Sequence, residues 1–213
     1  QGSLKDCQNA IVVVCGTAVG GAVIVNREIV SGKNFMAGEF NYVITDSKDD
    51  YKMSNSLAET AGAQALLNSV SVETGIPVEE LNGEKAFSLA NQGNDKALAG
   101  IRNHAKKLAI HIHNCQYMFD PEKIAVGGGI SEQPLLLQLI REELAKINGM
   151  YPWTLPVPEV TSCRFYNDAN LIGAVYVHMK AREKKISLEK VNELMELLEN
   201  RREGEYLRAL LTE

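Results

Sequence analysis

The segment IVVVCGTAVGGAVIVN, from Ile11 to Asn26, contains two apolar runs separated by a glycine-bearing segment. Its first part, Ile11 to Gly16, is a β-branched run that ends at a glycine, which is typical of a buried strand. The run AVIVN, Ala22 to Asn26, predicts a second strand, and Thr17 to Gly21 predict a tight glycine-bearing turn between the two. Two such runs joined by a short turn form a β-hairpin. REIVS follows as a third extended segment.

Downstream of the hairpin, helical and extended patterns alternate. Apolar residues spaced three or four apart predict helices. We place one from about Ser56 onward and a separate short one that ends near Gly93. Three more run from Asn94 to Phe119, from Pro134 to Ile147 and from Asn167-Asp168 onward. The first of these helices has Ser56 as a predicted N-cap and Glu59 at the capping-box position. KIAV before Gly127 and EVTSCRF, Glu159 to Phe165, predict two further strands. The alternation indicates an α/β fold, with a mixed sheet opened by a β-hairpin and flanked by helices.

The composition is that of an ordinary globular protein. The chain has 213 residues, of which 45% are hydrophobic and 23% charged, with a net charge of −5. Its basic residues are scattered, which argues against a nucleic-acid partner. No apolar run approaches the roughly 20 residues that span a bilayer, and no secretory signal opens the chain. The four cysteines form no CxxC or CxC motif, so we expect buried free thiols in a cytoplasmic protein.

The last segment, from Ser187, has a different character. Apolar residues recur there at helical spacing, with Glu, Lys and Arg between them: Leu188, Val191, Leu194, Met195 and Leu198. This pattern predicts an amphipathic helix with an apolar face to cover. The helix either packs on its own domain or contacts a missing lobe or a second subunit. We therefore divide the chain into a lobe, residues 1–180, and a helical extension, residues 181–213.

Two glycine-rich turns are candidate phosphate sites. GTAVGGA, Gly16 to Ala22, lies between two strands, and GGGIS, Gly127 to Ser131, follows a strand and precedes a helix. Glycine leaves backbone N–H groups open to an anion, and the Thr17 hydroxyl adds a donor. The alternative for the first turn is a hairpin turn in which glycine only permits the backbone angles. Neither turn is a dinucleotide fingerprint, and no Walker A loop is present.

Three blocks of the sequence resemble those of one family. GTAVGGAVIVN followed by AGEF (Ala37 to Phe40) resembles the GTGIGGG-to-AGEIGH block of the ROK (repressor, open reading frame, kinase) sugar kinases. DPEKIAVGGGIS, Asp120 to Ser131, resembles the family's strand and turn beside the adenosine. FYNDANLIGAVYV, Phe165 to Val177, resembles its closing DAGLIGAA helix. The resemblance implies the C-terminal RNase H-like lobe of an actin-like ATPase fold, in which two lobes enclose ATP and a hexose.

The resemblance also implies site residues. The residues that match the turn near the ATP phosphates are Gly16, Thr17, Gly20 and Gly21, and those that match the turn beside the nucleotide are Gly127, Gly128 and Gly129. Glu39 matches a sugar-binding glutamate, and carboxylates suit sugars because they accept several hydrogen bonds from vicinal hydroxyls. Glu59 matches a second sugar ligand, and its alternative role is helix capping.

Other family features are missing. Tyr42 stands where the family has a histidine that binds zinc at the sugar site, and no cysteines precede Glu59 where the family has CxCGxxGC. We therefore expect no zinc and no metal ligand in this chain, and Tyr42 remains a candidate sugar contact. The family's first phosphate loop and its general-base Asp belong to an upstream half. Asp168, in an NDAN segment of the closing helix, is expected to cap that helix rather than to act as the base. No catalytic residue is therefore assigned.

Three functions are compatible with these residues. The first is a sugar kinase that phosphorylates a hexose or N-acetylhexosamine with ATP and Mg²⁺, represented here by an inactive lobe. The second is the sugar-sensing domain of a ROK transcriptional regulator. The third is a catalytically silent lobe retained for dimerisation. In each case the expected partners are a small sugar, ATP, the missing N-terminal lobe or a second copy, with no membrane involved.

Overall fold

A computed structural model of the chain describes residues 2–47, 50–166 and 168–181. The chain divides into two compact units, Gln1–Tyr166 and Asn167–Glu213. The second unit contributes one described helix, α6 (Asp168–Ala181), with Asp168 in its first turn. The amphipathic helix predicted from Ser187 lies outside the described residues. Within the described ranges, none of the helices has the length and hydropathy that a membrane crossing requires.

The first unit is built on a five-stranded mixed sheet. Its strands are β1 (Ala10–Cys15), β2 (Val19–Val25), β3 (Glu28–Ile29), β4 (Lys123–Gly127) and β5 (Glu159–Ser162), in the order β3-β2-β1-β4-β5. The pairs β1–β2 and β2–β3 are antiparallel, whereas β1–β4 and β4–β5 are parallel. The predicted opening hairpin and mixed sheet are therefore confirmed.

The hairpin turn is shorter than predicted. Pairing between β1 and β2 continues to Cys15 and Val19, so only Gly16 to Ala18 connect the strands. Gly20 and Gly21 belong to β2, and the prediction that they form part of the turn is wrong. Gly21 serves close packing instead, because an added Cβ would lie 2.5 Å from the ring of Phe40. A glycine inside a strand often marks such a close approach.

Five helices complete the first unit, and their bounds are α1 (Leu57–Ala61), α2 (Ala63–Thr74), α3 (Gly83–Asn91), α4 (Asp95–Phe119) and α5 (Pro134–Asn148). The long helix α4 begins as predicted, because the side chain of Asn94 accepts a hydrogen bond from the Ala97 amide. One side of α4 is buried against the other helices and the sheet, and it carries Ala97, Ile101, Ala105, Leu108 and Ile112. Short 3₁₀ turns connect several of these elements.

The helix predicted from Ser56 is broken in two. It begins at Leu57, ends at Ala61 and restarts after Gly62 as α2. The predicted capping box is not formed, because the Ser56 amide donates to the Met53 carbonyl and the Ser56 hydroxyl has no hydrogen-bond partner among the described residues. Glu59 lies in the first turn of α1 and is exposed, and the Ser56 amide that it would cap is already bonded to Met53.

The two remaining differences concern strand and helix ends. The strand predicted from Glu159 to Phe165 stops at Ser162, which is the last residue paired with β4, and the Cys163 amide makes a final hydrogen bond to the Val126 carbonyl. A 3₁₀ turn, Gly129–Glu132, separates Gly128 from α5, so the helix does not follow the glycines directly. The carboxyl ends of β1 and β4 nevertheless lie side by side, which brings the two glycine turns to one edge of the sheet.

Candidate functional site

A cleft of about 610 Å³ lies at this edge of the sheet. It is lined by the first turn, by the second turn, and by residues from α2, α3 and the start of α5, namely Cys15, Gly16, Thr17, Ala63, Gly83, Glu84, Phe87, Gly129, Ile130 and Gln133. The structure thus brings Gly16, Thr17 and Gly129, three of the predicted nucleotide-binding residues, into one cleft. Clefts at the carboxyl ends of strands are the usual ligand sites of α/β sheets.

Four of the predicted glycines stay outside the lining of this cleft. Gly20 and Gly21 are in β2, whereas Gly127 ends β4 and Gly128 directly precedes the 3₁₀ turn that begins at Gly129. Gly128 has φ +88°, and a Cβ there would clash with the Cys15 carbonyl oxygen. Its carbonyl accepts a hydrogen bond of 2.7 Å from the Ser131 hydroxyl. Glycine at this position therefore lets the second turn close against the end of β1.

The two turns carry hydrogen-bond donors that have no partner among the described residues. Among the described residues, neither the amide nor the hydroxyl of Thr17 has a hydrogen-bond partner, and the Gly129 amide has none either. Gly16 and Gly129 are exposed, so their backbones can be approached by a ligand. Open N–H groups of this kind form anion-binding concavities. The turns therefore fit a phosphate-bearing ligand.

Glu84 is the one charged residue in the described lining of the cleft. No lysine or arginine is among those lining residues, so the hydrogen-bond donors of the described lining are neutral. A carboxylate at the rim can accept hydrogen bonds from hydroxyl or amino groups. Sequence reasoning missed Glu84 and its neighbours Gly83 and Phe87. Asn82 was the available signal, because it caps α3 through the Lys85 amide and so fixes the helix start at Gly83.

The predicted sugar ligands lie on two short elements that are joined to each other. Glu39 precedes a 3₁₀ turn, Phe40–Tyr42, and Glu59 lies on α1. The Val43 carbonyl, directly after the 3₁₀ turn, accepts a hydrogen bond of 2.7 Å from the Leu57 amide at the start of α1. Both carboxylates are exposed, as is Tyr42. The structure therefore presents the candidate sugar residues on neighbouring elements.

Phe40 anchors the segment that carries Glu39. Its ring is buried and meets the imidazole of His111 edge-on, with the ring centroids 4.6 Å apart. Gly38, with φ +91°, packs on β2 so closely that a Cβ would lie 2.7 Å from the Gly21 carbonyl oxygen. Because Gly38 and Gly21 have no side chains, the backbone before Glu39 can lie directly on the sheet.

The sugar side and the phosphate side meet at the break between α1 and α2. The Ala63 amide donates to the Gly16 carbonyl at 2.8 Å. A Cβ on Gly62 would lie 2.5 Å from the Thr17 carbonyl oxygen. The helix that carries Glu59 thus ends against the turn that carries Thr17. This contact places the candidate sugar ligand and the candidate phosphate donor on adjoining elements.

The described residues do not fit a zinc ion. No group of three His, Cys, Asp or Glu residues in the described ranges could hold a metal. Cys7, Cys15 and Cys115 are buried and Cys163 is half-buried, and all four are free thiols. Burial raises the pKa of Cys15 and of Cys115 to about 12, which keeps these thiols protonated.

Histidines offer no replacement. His104 and His111 are buried on α4, and burial lowers the pKa of each to about 4, so both are neutral. His111 Nε2 lies 3.5 Å from the sulfur of Cys115. His113 is partly exposed on another side of the helix.

Comparison with known proteins agrees with this architecture. The chain is 30% identical over 179 residues to a beta-glucoside kinase of Klebsiella pneumoniae, covering 83% of this chain and 57% of that protein. A ROK family protein from Streptococcus pneumoniae, solved with sucrose, is 28% identical with a TM-score of 0.74 and covers 84% of this chain and 61% of its own.

A ROK family glucokinase from Streptomyces griseus, solved with glucose and AMPPNP, shares the fold. It has a TM-score of 0.73 at 22% identity, over 81% of this chain and 61% of its own. The chain therefore spans less than two thirds of the length of each of these proteins. Its fold is that of the actin-like ATPase sugar kinases, as the sequence predicted. The model of the ROK family matches residues 1–181, so the chain belongs to the ROK family.

Proposed function

We propose that residues 1–180 form the C-terminal lobe of an ATP-dependent sugar kinase, which acts in the cytoplasm together with an upstream lobe. The observation that carries this proposal is the contact between α1 and the first glycine turn. Gly62, directly after the helix that bears Glu59, packs against the Thr17 carbonyl, and the Ala63 amide at the start of α2 donates to the Gly16 carbonyl. A kinase requires a sugar site next to a phosphate site, since the acceptor hydroxyl must lie beside the phosphoryl group that is transferred to it.

In this proposal the cleft of Gly16, Thr17 and Gly129 binds the nucleotide. The free amides and the Thr17 hydroxyl donate to phosphate oxygens, and Gly127 and Gly128 hold the second turn in position. Glu84 accepts hydrogen bonds from the nucleoside part of the ligand. ATP supplies the phosphoryl group as its Mg²⁺ complex.

Glu39 and Glu59 bind sugar hydroxyls as acceptors, and Tyr42 contributes its phenol group at the edge of the sugar site. The three are exposed on elements that the Val43–Leu57 hydrogen bond joins. Carboxylates hydrogen-bonded to hydroxyls give strong, directional contacts. No zinc takes part in this site. The family relationship supports a hexose, an N-acetylhexosamine or a β-glucoside as the proposed substrate class.

The general base is assigned to the upstream lobe. Among the described residues, Asp168 is the one Asp in a segment that resembles the family's base motif, and it lies in the first turn of α6. An acidic residue there stabilises the helix dipole. We therefore expect the chain by itself to fold and to show no sugar-dependent ATP turnover. Hexose phosphate formed by the purified chain would contradict this assignment.

The full-length protein provides the direct test. ADP release is measured with Mg-ATP against hexoses, N-acetylamino sugars and β-glucosides, and sugar-dependent turnover is expected. Glu59→Gln should raise the KM for the sugar by about 10- to 100-fold, because a hydrogen bond to a charged group contributes about 1.5–3 kcal/mol. Glu79→Gln, at an exposed position in the 3₁₀ turn Val78–Glu80, is the matched control and should leave the KM unchanged.

Sugar binding without turnover would instead support the regulator alternative, in which the same cleft senses a sugar and controls a DNA-binding segment. The absence of both binding and turnover would leave the silent, dimer-forming lobe. The kinase proposal is preferred because the cleft at the sheet edge keeps its free phosphate donors beside the sugar-side helix.

A further inference from the structure

Asn55 ties together the loop that precedes α1. Its side-chain amide donates to the backbone carbonyls of Asp46 and Asp50, each at 3.0 Å. Its own backbone carbonyl accepts from the Thr45 amide at 2.8 Å and from the Thr45 hydroxyl at 2.9 Å. One asparagine therefore fixes both the entry of the loop and its turn.

A second group of hydrogen bonds connects this loop to α1. The hydroxyls of Thr45 and Thr60 lie 3.2 Å apart, and the Thr60 hydroxyl also bonds to the Ser56 carbonyl at 2.9 Å. Ile44 and Ser56 form an isolated β-bridge beside them. Thr60 directly follows Glu59 on the helix. The position of Glu59 is thus linked to Asn55 through Thr45 and Thr60.

This arrangement lies where the family resemblance places a zinc block, and the described residues form no group of three possible metal ligands there. A loop of this length gains its order only if its polar groups find partners, because ordering a chain costs conformational entropy. Asn55 provides those partners: it has two N–H donors and a carbonyl on a short side chain, and its backbone closes the loop entrance. A metal ion would have constrained the same backbone.

We propose that Asn55 is a positioning residue, and that its hydrogen bonds replace a structural metal ion in holding α1 and Glu59 at the sugar site. The statement about sugar rests on the proposed function, whereas the statement about loop order does not. Asn55 touches neither ligand, so it acts through the Thr45–Thr60 contact and α1. Its loss should therefore affect sugar binding and leave nucleotide binding unchanged.

The test compares Asn55→Asp with Asn68→Asp in the full-length protein. The first variant keeps the shape of the side chain but replaces the two donors by an oxygen that faces two carbonyls, so the bonds to Asp46 and Asp50 are lost. The second makes the same charge change at an exposed site on α2, where the side chain only accepts from Gln64. Asn55→Asp should raise the sugar KM about tenfold with the ATP KM unchanged, and Asn68→Asp should change neither.

Hydrogen exchange gives a readout that needs no catalysis. Amides of residues 43–47 and 57–61 should exchange about tenfold faster in Asn55→Asp than in the wild type or in Asn68→Asp. If Asn55→Asp fails to fold, Thr45→Val serves, since it removes only the hydroxyl contacts to Asn55 and Thr60 and should give about a threefold effect. Unchanged exchange, or an equal rise in both KM values, would overturn the proposal.

Elemental analysis and chelation complete the test. The purified protein should contain less than a tenth of an equivalent of zinc, by the order-of-magnitude expectation for a site without thiolate or imidazole ligands. Dialysis against a chelator, followed by return of Mg²⁺, should leave sugar turnover unchanged. One equivalent of zinc, or activity lost on dialysis and restored by zinc, refutes the proposal that the hydrogen bonds of Asn55 replace a structural metal ion. A protein that turns over no sugar but shows the exchange difference would refute the proposed function alone.

Discussion

His104 should make the stability of the first unit depend on pH. The side chain is 1% exposed on α4, and neither ring nitrogen has a hydrogen-bond partner among the described residues. Burial lowers the pKa of His104 to about 4, against 6.5 for an unperturbed imidazole. The folded state therefore holds the neutral ring, whereas the unfolded chain takes up a proton as the pH falls below 6.5.

The sign follows from which state binds more protons. Between pH 6.5 and pH 4 the unfolded chain is the more protonated, so stability rises with pH across this window and falls on acidification. The pKa difference corresponds to about 3 kcal/mol below both pKa values, and to about 2 kcal/mol between pH 7 and pH 5. His111, with its pKa also lowered to about 4 by burial, should add a similar loss.

Urea denaturation at pH 7 and at pH 5 measures this effect. His104→Leu should lose about 2 kcal/mol less free energy of unfolding than the wild type between the two pH values. At pH 7 the variant should be at least as stable, because it removes two unpaired buried polar atoms. His113→Gln, on the partly exposed side of the same helix, should keep the pH dependence of the wild type. Identical losses in the wild type and His104→Leu would refute the reasoning.

Two further predictions concern packing and ion pairs. Gly128→Ala should lower the free energy of unfolding, measured by thermal unfolding, by about 3 kcal/mol, because it combines φ +88° with a clash against the Cys15 carbonyl. Gly93→Ala, with φ +90° and open space around it, should lower it by about 1 kcal/mol. Equal losses in the two variants would contradict the clash. Arg102→Met should cost about 2 kcal/mol, because it removes the partner of Glu143, which is 5% exposed, while Lys146 remains at 2.7 Å. Lys123→Met breaks the exposed ion pair with Glu159 and should lower the free energy of unfolding by less than about 1 kcal/mol in the same assay. A loss as large as that of Arg102→Met would show that burial does not govern the strength of these ion pairs.

The elements with strong local signals could be predicted from the sequence. The helix α4 has a regular apolar stripe and an asparagine cap, and its predicted start and end agree with the structure within one residue. The strands β1 and β4 are short β-branched runs that end at glycine, and both are confirmed. In each case the information lies within the element itself.

The features that were mispredicted depend on contacts between distant segments. Gly20 and Gly21 look like turn residues, but the ring of Phe40, far along the chain, explains why Gly21 is needed inside a strand. Gly62 breaks a helix because it meets the Thr17 carbonyl, which the local helical pattern does not reveal. The part of the cleft formed by α3 was missed for the same reason: its residues reach the glycine turns only through tertiary packing.

The lining of the cleft has a consequence for ionic strength. In the part of the chain that the structure describes, the lining combines neutral amides and a hydroxyl with the single carboxylate of Glu84. Salt screens interactions between charges far more than hydrogen bonds from neutral dipoles. Anion binding by this half should therefore lack the steep loss of affinity with salt that a site lined by lysine or arginine shows. A bare polyanion would be repelled by Glu84, whereas a nucleotide chelated by a divalent cation arrives with much of its charge neutralised. Under the proposed kinase function, this lining therefore favours the chelated nucleotide over the bare one.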